Sequence, residues 1–286
     1  MSLPSFDYRA PETVEKAIAL RQEYGDDALL MAGGLVVMIL LRERLVQPRT
    51  IINLSEISAL RRIDLSKKTL RIGAAVTHSE ITNSEQVRSV APMLCEACGR
   101  VGSPAIRNMG TLGGSICHGD GASDPAPALL ALDADAMVSG PSGQRRIPLK
   151  NFFRGVFSTE LEEDELLTEL LVPVPAKGTQ TRFMKYTSTS EEAFATVTVA
   201  VSLLRKRSGK CAEVRIGLGS VAPIPMRALE AENLLRGKVA TKELIADVAS
   251  AAALEADPAS DAQASEQYRR DMTAVWVRRV LEDMLL

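Results

Sequence analysis

The chain has 286 residues and a mass of 30.8 kDa, enough for about two domains. Hydrophobic residues make up 46% and charged residues 24%, which excludes the disordered, collagen-like and disulfide-scaffold classes. The 34 basic residues nearly balance the 36 acidic ones and aromatics are only 4%, so there is neither a basic footprint for nucleic acid or anionic membrane nor a base-stacking platform.

The N-terminal stretch Met1 to Lys16 lacks a basic region followed by an apolar core, so it reads as having no secretory leader. Glu12 to Tyr24 predicts a helix with Val14, Ala17 and Ile18 on one face. Ala28 to Ala32 predicts a buried strand running into Gly33 and Gly34, and Val36 to Leu45 a following helix. The longest apolar run, Ala28 to Leu41, has 14 residues. A membrane span needs about 20 residues, so this run reads as core. Thr50 to Leu54 and Thr69 to Gly73 predict further strands. Val101 to Pro127, rich in Gly, Ser, Pro and Asp, reads as a long functional loop. Pro173 and Pro175 mark a boundary. Beyond it, Thr196 to Leu204 and Ala212 to Leu218 alternate as half-buried antiparallel strands do, with Val214, Ile216 and Leu218 sharing a face. Two helices follow, one carrying Leu244, Val248 and Ala252, the other Met272, Trp276, Val280 and Met284. The pattern is a small sheet with helices to one side, an α+β arrangement.

Five motifs carry potential chemistry. Met31-Ala32-Gly33-Gly34-Leu35-Val36 joins a buried strand to a helix. Its glycines permit positive φ and close approach, and its amides suit a phosphate; a tight turn with no ligand accounts for it equally well. Asn108 to Ser115 holds the second glycine pair, Gly113 and Gly114, about 80 residues later, with Thr111 and Ser115 as hydroxyl donors. Two such corners suggest one extended ligand gripped from two sides, though an ordered loop again suffices. His118, Asp120 and Asp124 resemble parts of a metal site or a hydrolase triad. Neither holds well, because His78 is the only other histidine and there is no G-x-S-x-G elbow. Cys95 and Cys98 form a lone C-x-x-C whose neighbours Met93, Leu94 and Ala97 fit a helix face, so packing is favoured over redox or metal chemistry. Gly217 to Ala222 fits G-x-G-x-x-A, but Pro223 and Pro225 forbid the helix that a dinucleotide motif needs, and it reads as a strand end.

Together, Ala32-Gly33-Gly34, Val101 to Asn108, Gly110 to Ser115 and Ser123-Asp124 resemble the FAD-binding medium subunit of molybdenum hydroxylases, of the carbon monoxide dehydrogenase and N-heterocycle dehydrogenase type. Phe6-Asp7-Tyr8 with Pro11, Ile72 to His78 and Val221 to Ala228 extend the resemblance over nearly the whole chain. It implies an α+β protein. A two-subdomain FAD-binding fold of the p-cresol methylhydroxylase and vanillyl-alcohol oxidase type spans 1–57 and 58–176, and a C-terminal α+β domain spans 177–286.

By the same resemblance, the cofactor-binding set is Met31, Ala32, Gly33, Gly34, Leu35, Val36, Ala75, Thr77, Gly102, Ile106, Gly110, Thr111, Gly113, Gly114, Ser115, Cys117, Ser123, Asp124, Leu167, Lys185 and Phe194. The loops Ala32 to Val36 and Thr111 to Ser115 would hold the pyrophosphate, with Thr77 on the same tract. Ser123 and Asp124 would sit near the adenosine ribose. Leu167 and Lys185 would approach the flavin or its adenine end, and Phe194 the isoalloxazine. No residue is assigned as acid or base on the substrate, and no metal site falls on this chain. Molybdopterin-type molybdenum and [2Fe-2S] clusters would belong to a large and a small partner subunit, in a dimer of heterotrimers; four cysteines without a disulfide framework make a reducing cytoplasm the default compartment. The implied role is to receive electrons and pass them on. A self-contained FAD-dependent oxidoreductase and a non-catalytic module without flavin are the alternatives.

The chain departs from the family pattern where Leu35 and Val36 replace a His or Gln and a Ser, which removes one hydroxyl donor to phosphate. Thr189 and Ser190 stand where relatives often carry a basic pair, and the inserted cysteine-rich loop of some relatives is missing.

Overall fold

The computed structural model describes residues 3–286. The chain opens with β1 (Asp7–Arg9), α1 (Val14–Tyr24), β2 (Ala28–Met31), α2 (Leu35–Arg42) and β3 (Thr50–Asn53), and the strands form a parallel sheet in the order β1-β3-β2. Thr13 caps α1 by accepting from the Lys16 amide at 3.2 Å, and Ala17 and Ile18 are buried against Ile52, Ile57 and Leu60. α2 ends at Arg42 rather than at Leu45, as Arg44 turns into the left-handed region (φ 56°) and the Leu45 amide bonds back to the Leu40 carbonyl at 2.9 Å. It is apolar from Leu35 to Leu41, yet only Leu41 is buried.

A second unit follows, comprising β4 (Ile63–Leu65), β5 (Thr69–Gly73), α3 (His78–Asn83), α4 (Glu85–Val90), α5 (Pro92–Gly99), α6 (Pro104–Met109), α7 (Leu112–His118) and α8 (Pro125–Ala131). Strands β6 (Asp135–Gly140), β7 (Gly143–Pro148), the hairpin β8 (Phe153–Gly155) and β9 (Ser158–Thr159), and β10 (Leu166–Pro173) complete it. The antiparallel sheet runs β4-β5-β10-β6-β7, and its helices enclose the main core. The stretch expected as a long loop from Val101 to Pro127 is instead largely helical. Ser103 and Thr111 cap α6 and α7, and Pro104 and Pro125 stand at the first positions of α6 and α8. Ser, Thr and Pro that look like loop composition are here helix starts.

The last unit has β11 (Thr179–Tyr186), β12 (Val197–Arg205), β13 (Cys211–Gly219), β14 (Met226–Arg227), α9 (Leu229–Leu235), α10 (Lys242–Glu255) and α11 (Glu266–Leu285). Its antiparallel sheet runs β11-β12-β13-β14. The expected one-sided cover is only half of the arrangement. Val197, Val199, Val201 and Leu203 pack with α9, α10 and α11, whereas Phe183 and Ala200 belong to the core of the preceding unit. α5 and α8 lie against this second face, so β12 is buried on both sides from Val197 to Leu203. Contact is close enough that a Cβ on Gly217 would collide with the Pro127 carbonyl of α8. On α11 the buried stripe is Arg269, Thr273, Val277, Val280 and Leu281, with Met272, Trp276 and Met284 flanking it half-buried. β13 stops at Gly219, and the next helix begins only at Leu229, in agreement with reading G-x-G-x-x-A as a strand end. Among the described residues no helix is long and apolar enough to cross a membrane.

Candidate cofactor site

The loop Ala32 to Gly34 leaves the C-terminal end of β2, the edge of a parallel sheet where open α/β layers bind ligands. Gly34 adopts φ 74° as it opens α2 and offers no side-chain cap, so the first amides of that helix lack the side-chain partner that a Ser or Asp would supply. A Cβ on Gly33 would collide with the Met109 carbonyl, and one on Gly110 would stand 3.2 Å from Leu35 Cδ1 and 3.0 Å from His78 Cδ2. The two glycine corners, far apart in sequence, therefore touch.

In the second corner most amides are already engaged. Leu112 donates to the Val76 carbonyl (2.9 Å), Gly113 to Ala74 (2.8 Å) and Gly114 to Thr111 Oγ (3.1 Å). Thr111 and Gly113 are buried, Gly114 is exposed and Ser115 half-buried. Surface for a ligand is thus concentrated at Gly114 and Ser115. Thr77 is tied up as well: its hydroxyl accepts from the Glu80 amide (3.2 Å) and donates to Glu80 Oε2 (2.8 Å) in a reciprocal cap of α3. Backbone pairing of Thr77 with Thr111 fixes the corner from below.

His78, which the sequence reading left without a role, proves to be part of this corner. It is 1% exposed, and its Nε2 lies 3.0 Å from Ser115 Oγ. Burial, with Arg107 nearby, pushes its pKa down to about 4, so the ring is neutral at pH 7. Its Nδ1 has no partner among the described residues. The signal in the sequence was its place directly after Thr77, the start of a capped helix.

Ser123 and Asp124 precede α8. Asp124 Oδ2 accepts from Lys185 Nζ at 2.7 Å, and the same ammonium donates to the Arg100 carbonyl at 2.9 Å. Both side chains are buried, 7% and 3% exposed. Desolvation outweighs the attraction of Lys185 and Arg100 and raises Asp124 to about 6. Asp124 Oδ1 and Ser123 Oγ are buried without partners among the described residues. Buried polar groups are nearly always satisfied, so two orphans beside one another are what a missing polar ligand leaves behind.

Of the remaining candidates, Met31, Ala32, Leu35 and Val36 are half-buried around the first corner, and Gly102, with φ 41°, packs on Ile106, which is exposed. Cys117 is half-buried, its thiol pushed up to about 12 by burial, so it is a packing group. Ala75 and Leu167, each 4% exposed, are already covered by protein and leave a ligand almost no surface. Phe194 is 63% exposed. It lines a cleft of about 280 Å³ between the second and last units, together with Asp120, Gly121 and Ala122.

His118, Asp120 and Asp124 do not form a cluster. His118 stacks on Phe157, Asp120 accepts from the Ala122 amide at 2.9 Å, and Asp124 serves Lys185. Among the described residues no three His, Cys, Asp or Glu side chains converge as metal ligands. Cys95 and Cys98 are buried in α5, their thiols raised by burial, as packing residues are.

These residues fit an extended anionic nucleotide such as FAD. Uncapped amides and glycine corners suit a diphosphate, unpartnered acceptors suit ribose hydroxyls, and an exposed aromatic over a cleft suits a flavin ring.

Comparison with known proteins points to the same cofactor. Residues 4–175 match the family described as the FAD binding domain in molybdopterin dehydrogenase, and residues 182–284 the CO dehydrogenase flavoprotein C-terminal domain. The chain is 35% identical to the carbon monoxide dehydrogenase medium chain of Hydrogenophaga pseudoflava, over 97% of this chain and 96% of that one. It is 34% identical to the 6-hydroxypseudooxynicotine dehydrogenase complex subunit alpha of Paenarthrobacter nicotinovorans, over 100% and 96%. Among solved structures, a chain of the Hydrogenophaga pseudoflava carbon monoxide dehydrogenase superposes with a TM-score of 0.95 at 36% identity, covering 99% of this chain and 98% of that one. A chain of quinoline 2-oxidoreductase from Pseudomonas putida 86 gives 0.92 at 31%, with the same coverage.

Proposed function

The chain belongs to the FAD-binding medium-subunit family of the molybdenum hydroxylases, with its two-domain α+β FAD-binding fold, and from that premise we propose that it takes electrons from an iron–sulfur partner and hands them to an external acceptor. Its complex would hold a large molybdenum-containing subunit and a small [2Fe-2S] subunit, as a dimer of heterotrimers. The division at 57/58 and 176/177 is proposed with it.

The single observation that carries this reading is the contact between the two glycine corners, Gly33 against Met109-Gly110, beside an uncapped helix start. Bound FAD supplies one- and two-electron redox chemistry that no side chain provides. The residues do the holding. Amides from Gly34 to Val36 would take one side of the diphosphate, and Gly114 with the Ser115 hydroxyl the other. Because backbone donors do this, the Leu35 and Val36 departures remove only one neutral hydrogen bond, worth about 0.5–1.5 kcal/mol net. Ser123 Oγ and Asp124 Oδ1 would meet the ribose, with Lys185 keeping Asp124 charged by its 2.7 Å contact. Phe194 would form the wall beside the ring. None of these side chains is placed to move a proton on an organic substrate, which binds elsewhere in the complex.

The test is purification of the complex after co-expression with its partners. About one FAD per copy of this chain is expected, reducible through the iron–sulfur partner, with no turnover of organic substrate by the isolated chain. A complex that carries molybdenum and iron but no flavin overturns the proposal.

A further inference from the structure

Arg269 lies in the first turn of α11 and is 4% exposed. Its Nη1 donates to the Thr196 carbonyl at 2.8 Å and the Ser220 carbonyl at 3.0 Å, with the Ala195 carbonyl at 3.5 Å. Its Nη2 donates to Asp261 Oδ2 at 2.7 Å. All four partners belong to segments that border one cleft, the one Phe194 overhangs.

The backbone around this arginine is held in an unusual state. Ser220 has φ 62°, a left-handed conformation that a serine adopts only when its surroundings impose it. The imposition is visible on both sides: the Ser220 amide donates to the Gly121 carbonyl at 2.7 Å, and its own carbonyl accepts from Arg269. The guanidinium therefore joins the Phe194 segment to Ser220, and through Ser220 to Gly121 of the preceding unit. The segment from Thr187 to Thr196 is pinned at its other end too, by Lys185 on Asp124 and the Arg100 carbonyl. Phe194 lies in the chain between the buried Lys185 and Thr196, the residue whose carbonyl Arg269 holds, and is itself 63% exposed. A planar fork with fixed donor directions sets position in a way that a flexible ammonium does not.

We propose that Arg269 is a positioning residue for the flavin: by clamping Ala195-Thr196 to Ser220 it fixes where Phe194 stands in the cleft that Asp120, Gly121 and Ala122 also line, and so sets the ring's aromatic neighbour. This rests on the reading of the chain as an FAD-binding subunit.

The experiment uses the assembled complex in five forms: wild type, Phe194→Ala, Arg269→Gln, Arg269→Lys, and Arg269→Gln with Phe194→Ala. FAD content, flavin fluorescence yield and visible circular dichroism are read on each. Arg269→Gln is expected to alter fluorescence and dichroism in the same direction as Phe194→Ala. Either change should speed FAD release by roughly two- to tenfold, the scale of one aromatic contact. The double variant should go no further than Phe194→Ala alone, and Arg269→Lys should recover only part of the wild-type signal. If Arg269→Gln does not assemble, Asp261→Asn, which keeps the arginine but removes its charge partner, takes its place in the same cycle. A wild-type flavin signal in the Arg269 or Asp261 variants overturns the inference, as does full additivity with Phe194→Ala. A wild-type complex without FAD overturns the parent reading instead.

Discussion

The Met109 carbonyl stands where residue 33 would place a Cβ, so Gly33→Ala must push one glycine corner off the other. Overpacking of this kind costs about 1–3 kcal/mol, and here it strikes the contact proposed to hold the cofactor. The expected outcome is a lower Tm together with a loss of FAD from the purified complex, measured by melting and flavin absorbance. Two buried titrating groups nearby pull stability in opposite directions with pH. His78 is held down at about 4 from its usual 6.5, so its contribution is complete above pH 6.5 and is lost as pH falls toward 4. Asp124 is pushed up from 3.8 to about 6, so its contribution is present below pH 3.8 and is lost as pH rises toward 6. Arg107 faces the histidine, and Lys185 and Arg100 face the carboxylate. The two slopes offset each other in the wild type. His78→Gln should leave a protein that loses stability as pH rises between about 4 and 6, and Asp124→Asn one that gains it more steeply. Thermal melts of the three proteins across that window check the signs, and parallel curves refute the assignment.

At the scale of elements, α8 and β13 meet backbone to backbone. Gly217 lies in the middle of β13, and any side chain there would enter the Pro127 carbonyl. A glycine in a strand interior weakens the strand, so its presence is explained by the close approach of the helix. Gly217→Val satisfies strand propensity and violates the packing; the packing term dominates, at about 1–3 kcal/mol. A fall in Tm of several degrees is expected, and a Tm equal to wild type would show that α8 can retreat without loss. The same closeness explains why β12, which alternates in sequence as a half-buried strand does, is covered on both faces. Thr196, Thr198 and Ser202 occupy the face that alternation reserves for solvent, yet they are buried at 0%, 1% and 3%. Small polar residues fit there because helices cover both faces of the sheet.

For the whole molecule, that double cover means the last unit shares its core with the one before it. Phe183 and Ala200 belong to the main hydrophobic cluster, not to the cluster beneath α9, α10 and α11. Cutting the chain at 176/177 would bare this face of the sheet to water. The fragment 177–286 is expected to aggregate or bind a hydrophobic dye, while the intact chain unfolds in one transition with equal calorimetric and van't Hoff enthalpies. A soluble, cooperatively folding fragment would refute the shared core. The cleft lined by Gly121, Phe194 and Ser220 lies at the same junction, so separating the units would also dismantle the proposed cofactor site.

What the residues alone determined was local. Period and punctuation placed α1, β5, the glycine corners and the buried C-x-x-C helix, because helix caps, turn glycines and apolar faces act over a few neighbours. The family was legible too, since Ala32-Gly33-Gly34 and Gly110 to Ser115 are contiguous motifs. The touching of the two corners, the pairing of Asp124 with Lys185, the seat of His78 on Ser115 and the role of Arg269 needed the fold. Each joins residues at least 37 positions apart, and no local pattern encodes which distant carbonyl a buried guanidinium will find. The tertiary structure also changed the meaning of composition. Ser, Thr and Pro between Val101 and Pro127 became helix starts, and an alternating strand became one buried on both faces. Burial belongs to the packed assembly of elements, and a strand's sequence cannot count the layers that will cover it.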